Sequence, residues 1–563
     1  MSDTQTPPPS SPQPGSEIIQ GYPSTMGDDV QLNTTTLIRH AARTYGEQEI
    51  VYRKDTGEWS RYTIADCYDR VCRIADAMRR TVGVKPGDRV GILAWNTHRH
   101  FELYWAIPGV GAVMTMLNLR LGPTDLGHVL EDSGVSTVFV EDSLLPIAQS
   151  LAPSYPQVKN WVIVSDNPLE SIETTLPNPL DYETLVANAD PTPRWQQIDE
   201  RSSYGACYTT GTTGRPKGVY YSHRAIVLHA MGLALNADIS VRDCMMLITP
   251  MFHAQSWGMP QAAMLMACKT VLPGRYAANE TDFLIDALMN EEVTVTSGAP
   301  AIFQPMFDRI RERGDKPDFS RLRALSGASE PPVSLMRGMF EETGAEIIHA
   351  YGATETSPIV TLNRFKPSMA DWDDEARWDN KRKQGLMLSL VDFRLMQPDG
   401  TEAPFDGTTP GELQMRSPWI TTSYHQMPEA ADRFDDGWWR SGDMATIDPN
   451  GYVKLTDRIK DVIKSGGEWI SSIDMENALM AHPKVREAAV IGVPDPKWQE
   501  RPVAIIALVK DAELSIDEVK AHLSEKFAAW QMPDRIEIVD EVPRTSVGKW
   551  DKKRMRAEFG GEA

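Results

Sequence analysis

The sequence predicts an α/β protein that closes with two smaller units. Three observations carry this. Short runs of β-branched residues alternate with amphipathic stretches through the first two thirds of the chain. After about residue 385 short strands and turn signals dominate. From about residue 460 a compact mixture of helices and strands follows. The length, 563 residues, suits about three or four compact units. With 41% hydrophobic and 24% charged residues the chain has a globular composition.

Taken in order, residues 1–17 hold five prolines and four serines and read as a disordered tail. Residues 89–95 read as a buried strand and residues 97–110 as a helix. Residues 136–140 and 161–164 read as further strands, with a helical stretch at 124–131 between the first strand and the second. Thr281 is placed to cap a helix through Leu284 and Leu288, ahead of a strand at 293–296. Strands alternating with helices imply βαβ units and mostly parallel sheets. The acidic-then-basic run at 371–383 reads as a solvated loop or helix face. Turns such as Gln397-Pro-Asp-Gly400 and Asp448-Pro-Asn-Gly451 punctuate the β-rich region. The last unit reads as a helix at 473–480, strands at 488–493 and 503–509, and a helix at 516–527.

The formal charge is 57 − 78 = −21. That argues against nucleic acid, whose binders carry a basic face. Local clusters of Lys and Arg can still recognise small anions. The five cysteines, at 67, 72, 207, 244 and 268, form no CxxC pair and read as buried free thiols in a reducing compartment. No apolar run approaches about 18 residues, so no transmembrane helix is expected. The N-terminus lacks the basic start and apolar segment of a signal peptide, which makes cytoplasm the expected location.

The densest chemical signal is Tyr208-Thr-Thr-Gly-Thr-Thr-Gly-Arg-Pro-Lys-Gly218. Its glycines, Gly211 and Gly214, let the backbone turn with positive φ and approach a ligand closely. Successive N–H groups can form an anion nest, the hydroxyls of Thr209, Thr210, Thr212 and Thr213 add donors, and Lys217 adds positive charge. This composition grips phosphate, yet GxxxxGK[ST] cannot be laid on it. Four more motifs follow in order: Ala350-Tyr-Gly-Ala-Thr-Glu-Thr-Ser-Pro358, Trp439-Arg-Ser-Gly-Asp443, the run from Asp457 to Trp469, and Pro543-Arg-Thr-Ser-Val-Gly-Lys549.

This ordered set resembles the adenylate-forming superfamily: acyl-CoA synthetases, peptide-synthetase adenylation domains and beetle luciferases. Phe252-His-Ala-Gln-Ser-Trp257, Ser465-Gly-Gly-Glu-Trp-Ile-Ser471 and Lys497-Trp-Gln-Glu-Arg-Pro502 look most like its long- and medium-chain fatty-acyl-CoA ligase branch, which includes methylmercaptopropionate-CoA ligases. The resemblance implies an N-terminal domain, 18–457, of two βαβ-type subdomains plus a small β-barrel at about 385–457. It also implies a small mobile α+β C-terminal domain, 458–563, turning about a hinge near Lys460. It implies an AMP-forming acid–thiol ligase that makes acyl-AMP and pyrophosphate from ATP, then passes the acyl group to CoA, with Mg²⁺ as cofactor. A homodimer is implied for the branch.

Site roles come with the resemblance. Thr209, Thr210, Gly211, Thr212, Thr213, Gly214 and Lys217 would hold the phosphates. Glu355, a hard oxygen ligand suited to Mg²⁺, would bind the ion with Thr209. Gly327, Ala328, Ser329, His349, Ala350, Tyr351, Thr354, Asp443, Arg458 and Lys460 would surround AMP. Of these, Tyr351 can stack on adenine and Asp443 can accept ribose hydroxyls. Ser-Gly-Ala-Ser-Glu-Pro-Pro around Gly327 departs from the family's usual run of glycines and alanines. Lys549 would bridge the carboxylate and the α-phosphate as a point charge. Lys464, Gly466, Gly467, Glu468 and Trp469 would serve the CoA step.

His253 and Trp257, four residues apart, would share a face on a helical turn, and the resemblance implies that they sit where the nucleotide and acyl pockets meet, with Trp257 as gate. Met245, Met246, Met251, Met259, Met264 and Met266 are open to two readings, a flexible pocket lining or plain core. No motif encodes the acid. A medium- or long-chain fatty acid leads, with methylmercaptopropionate, short-chain and aryl acids behind it. Two readings of other classes are an adenylating enzyme with a carrier protein or O₂ as acceptor, and an inactive nucleotide-binding protein. The presence of Glu355, Asp443 and Lys549 disfavours the last.

Overall fold

The computed structural model describes residues 19–191, 195–209, 215–276, 280–314, 316–458, 461–465, 468–524, 526–544 and 550–560. The proline-rich tail lies outside them. Two large sheets dominate. A seven-stranded sheet runs in the order Leu180–Asp181, Asn160–Val164, Thr137–Glu141, Arg89–Leu93, Val113–Met116, Ser203–Tyr208, Gly218–Ser222. Its strands are parallel except for the final hairpin. A nine-stranded sheet has Glu346–Gly352, Arg323–Ser326, Val295–Gly298, Cys244–Met246, Lys269–Leu272 and Glu49–Arg53 as its parallel body. Antiparallel strands close both of its ends.

The helix His98–Gly109 is buried on every face, because it is packed between covered layers rather than on a surface. Such a position demands partners for its charges. Glu102 accepts from Arg70 Nε at 2.7 Å and from the Tyr182 hydroxyl at 2.7 Å, and Arg99 pairs with Asp166 at 2.8 Å and Glu183 at 2.5 Å. Between the sheets, Asn96 Nδ2 donates to the carbonyls of Leu247 at 2.7 Å and Thr249 at 2.9 Å. One apolar cluster extends from Leu37 to Val453 through both large sheets and the antiparallel sheet beyond them.

That antiparallel sheet is built from Asp392–Met396, Gly411–Arg416, Phe434–Asp435, Trp438–Ile447 and Val453–Arg458. A fourth sheet, Ile463–Ser465, Glu468–Ile470, Val485–Asp495, Gln499–Leu508 and Arg535–Val539, carries the C-terminal α+β unit. Ser471 Oγ donates to Thr456 O at 2.5 Å and Ser472 N–H to Asp457 Oδ2 at 2.7 Å, so the helix Ser472–Met480 begins against the last strand of the preceding sheet. No helix of the described residues is long and apolar enough to cross a membrane.

One expectation needs correction, one holds only in part, and one choice between two readings is decided. The strand expected at 293–296 is Val295–Gly298, because Val293 ends the preceding turn. The charged run at 371–383 is a helix, Asp374–Lys381, whose basic end is not simply solvated: Arg382 pairs with Glu330 at 2.9 Å and Lys383 with Asp448 at 2.6 Å. Five of the six methionines are fully buried members of the cores, Met266 alone being only partly buried, which selects the core reading.

Candidate active site

The hairpin Ser203–Tyr208/Gly218–Ser222 ends at the phosphate-type loop. Thr209 N–H donates to Lys217 O at 3.0 Å, and Lys217 N–H returns to Thr209 Oγ1 at 3.2 Å, closing the neck of the loop. Thr210, Gly211, Thr212, Thr213 and Gly214 lie outside the described residues. The Lys217 ammonium sits 4.8 Å over the ring of Tyr424. The Tyr424 hydroxyl donates to Glu355 Oε1 at 2.6 Å, and Thr421 N–H donates to Glu355 O at 2.9 Å. Tyr221 adds a 2.7 Å hydrogen bond to Thr354 O, so the turn carrying Glu355 is held from two sides. Among the described residues neither Lys217 nor Glu355 has a salt-bridge partner.

A second group lies where the strand Glu346–Gly352 meets the antiparallel sheet. Tyr351 OH donates to Asp443 Oδ2 at 2.6 Å, and Asp443 Oδ1 lies 3.4 Å from Arg458 Nε. Register explains the pair: Asp443 stands directly across from Arg458, and opposite charges at such positions attract. Burial, then the charge of Asp443, pushes the Tyr351 phenol well above its ordinary pKa, so it stays a donor. His349 lies on the same strand. Its Nδ1 is 2.8 Å from Arg382 O and must donate, and burial lowers its pKa to about 4, which keeps the ring neutral.

Gly327 belongs here for steric reasons. A Cβ on it would stand 2.7 Å from Ala350 O and 3.4 Å from the Trp257 ring, so glycine permits the approach of strand, turn and indole. Ala328, with φ +71°, and Ser329 form the exposed turn beside it. Trp257 does not share a helical face with His253. Ala254, Gln255, Ser256 and Trp257 have φ of 44°, 51°, 50° and 60°, a left-handed turn that cancels the four-residue helical argument. Each such residue costs about 1–2 kcal/mol. Burial and the 2.8 Å bond from Ser256 Oγ to Thr249 O hold the turn in place.

Lys460, Gly466, Gly467 and Lys549 lie outside the described residues. Glu468 and Trp469 pair through their backbones with Ser465 and Lys464. Lys464 is exposed, its N–H donating to Glu500 Oε2 at 2.8 Å. A cavity of about 770 Å³ opens where the parallel strands begin, between Arg89, Asp132, Tyr220 and His425. The motif residues do not converge on it.

Sequence reasoning missed Tyr424 and Tyr221. Their partners are 69 and 133 residues away, and no periodicity reaches so far. As for metals, no group of three His, Cys, Asp or Glu among the described residues could hold an ion unaided. Glu355, a hard oxygen donor oriented by Tyr424 and free of a salt bridge, fits an ion that takes its other ligands from phosphate and water.

The sequence matches the model for the AMP-binding enzymes over residues 38–425, and that for the AMP-binding enzyme C-terminal domain over 474–549. It is 39% identical over 549 residues to a long-chain-fatty-acid–CoA ligase of Thermus thermophilus, covering 96% of this chain and 98% of the relative. Identity is 36% to a medium-chain-fatty-acid–CoA ligase of Ectopseudomonas oleovorans, covering 94% and 96%. It is 35% to a 3-methylmercaptopropionyl-CoA ligase of Ruegeria lacuscaerulensis, covering 93% and 97%. In fold the chain is similar to an anthranilate CoA ligase in complex with anthranoyl-AMP, with a TM-score of 0.83 at 23% identity over 94% of this chain and 97% of that one.

Proposed function

The chain belongs to the AMP-binding, adenylate-forming enzymes as an acid–CoA ligase, and from that premise we propose that its acid is a medium- or long-chain fatty acid. The observation that carries this is the near-complete coverage of the long- and medium-chain ligases at 39% and 36% identity. Activation is needed because a free carboxylate has no good leaving group. Its oxygen attacks the α-phosphorus of ATP, the bond to the β-phosphate oxygen breaks, and pyrophosphate leaves. In the second half-reaction the CoA sulfur attacks the acyl carbon and AMP leaves.

The chain's own residues bring two anions together. Lys217 offers positive charge at the neck of the phosphate loop, unneutralised by any described carboxylate. Lys549 supplies a second point charge between carboxylate and α-phosphate. Asp443, oriented by Tyr351, accepts from the ribose, and Arg458 holds Asp443. Glu355, with Thr209 beside the loop, would hold Mg²⁺. That ion, when bound, neutralises charge developing on the phosphate oxygens. Lys464, Gly466, Gly467, Glu468 and Trp469 serve the thiol step after the C-terminal unit turns.

The test is a panel of carboxylic acids scored by pyrophosphate release, with acyl-CoA confirmed by mass spectrometry. Saturated acids of medium to long chain should give the highest kcat/KM. A maximum at 3-methylmercaptopropionate or an aryl acid would replace the fatty-acid assignment, and pyrophosphate without thioester would replace CoA as acceptor.

A further inference from the structure

We propose that Tyr424 is a positioning residue that keeps the two unlike charges of the phosphate end, Lys217 and Glu355, apart and oriented. The inference rests on the ligase reading for its consequence, and on geometry alone for its substance. Tyr424 is buried, 6% exposed, in the stretch between the strands Gly411–Arg416 and Phe434–Asp435 of the antiparallel sheet. Its hydroxyl donates to Glu355 Oε1 at 2.6 Å, and the Lys217 ammonium lies 4.8 Å over its ring. The flanking backbone is pinned to the same two neighbours. Thr421 N–H donates to Glu355 O at 2.9 Å, and His425 N–H donates to Gly218 O at 2.9 Å, one residue past Lys217.

The physical need is clear. A lysine and a glutamate in a half-buried site attract each other, and a direct pair would neutralise both. Lys217 could not then serve phosphate, and Glu355 could not serve a cation. An aromatic face satisfies an ammonium by cation–π attraction without neutralising it. A phenol hydroxyl satisfies one carboxylate oxygen as a neutral donor, again leaving the charge intact. One tyrosine does both, its ring face taking the ammonium and its hydroxyl the carboxylate. Phenylalanine would keep the spacer and lose the orientation of Glu355. Leucine would lose both and let the charges close on each other.

The test measures ATP binding calorimetrically on the full chain, with EDTA and with Mg²⁺, for wild type, Tyr424→Phe and Tyr424→Leu. In EDTA, where Lys217 acts alone, Tyr424→Leu should weaken ATP by about tenfold, while Tyr424→Phe stays within about twofold of wild type. With Mg²⁺, Tyr424→Phe should require a several-fold higher Mg²⁺ concentration for half-maximal ATP binding. Pyrophosphate release should follow the same order, while CoA transfer from presupplied acyl-adenylate stays within about twofold for Tyr424→Phe, since that step no longer needs the phosphate end. Adding Glu355→Gln to Tyr424→Leu should restore part of the EDTA affinity, because Lys217 no longer has an anion to pair with. ATP affinities of both variants equal to wild type in both buffers would overturn the proposal. So would equal loss in the two half-reactions for Tyr424→Phe. Failure of the acid panel with intact ATP-binding differences would overturn the ligase reading and leave Tyr424 in place.

Discussion

Asp443 and Glu355 are each held by a tyrosine hydroxyl at 2.6 Å, and the holding runs in opposite directions. Tyr351 reaches from the nine-stranded sheet to Asp443 on the antiparallel sheet. Tyr424 reaches back from the antiparallel sheet's connection to Glu355. The two pairs staple one unit to the other, yet they differ in charge. Asp443 has Arg458 at 3.4 Å, so the end proposed for the ribose holds a paired carboxylate. Glu355 and Lys217 have no salt bridge among the described residues, so the end proposed for the phosphates keeps charge of both signs unpaired among them. On the proposed reading, the closed pair positions a neutral ribose. The open pair, on the same reading, accepts a polyanion together with a cation, whose binding would complete the charge balance.

The largest effect should come from removing charge at the open end. Glu355→Gln is expected to lower the adenylation rate by about 10²–10³-fold, as loss of a group acting on developing charge does, while thioester formation from presupplied acyl-adenylate persists. Single-turnover assays of the two half-reactions read this directly, and parallel losses would erase the distinction between the ends. Asp443→Asn should act more mildly and more evenly. Both half-reactions bind the AMP moiety, so each should weaken by about tenfold. Leaving the partly exposed Arg458 without its partner should cost about 1 kcal/mol or less in urea titrations.

The smallest effect lies away from both ends and serves as their control. Glu141, at the end of the strand Thr137–Glu141, is 1% exposed. Burial foremost, then the nearby Asp55, raises its pKa to about 8, from an ordinary value near 4.5. The folded chain therefore binds a proton that the unfolded chain releases between pH 4.5 and about 8. Stability falls as pH rises through that window. Glu141→Gln keeps the shape and the acceptor for Trp95 N–H, 3.1 Å away, but cannot ionise. Thermal unfolding should show Glu141→Gln more stable than wild type by a few degrees at pH 9 and level with it near pH 5, with KM for ATP unchanged at both. Identical pH dependence of the two proteins would contradict the assignment.

Much of this was legible in the chain. The alternation of strands and helices, the helix beginning after Thr97, and the turn-rich region past residue 385 follow from local periodicity, which depends on neighbours in sequence. Glu355, Asp443 and Lys217 stood out because a family motif surrounds them. The left-handed turn at Ala254–Trp257 did not, because four non-glycine residues adopt it against their own preference, and only the buried packing around them makes it the stable form. Tyr424 did not either, because a tyrosine in a polar connection has no local mark of importance.

By itself, then, the sequence determined which charges the site owns: the glycine–threonine loop with its lysine, the glutamate after the strand, the aspartate of the antiparallel sheet. Only the tertiary structure decided which of those charges are cancelled and which are kept. Cross-strand register set Arg458 against Asp443, whereas a tyrosine from a distant connection took the Lys217 ammonium on its ring face and Glu355 on its hydroxyl. Charge type is a property of a residue, but the distance between two charges belongs to the fold.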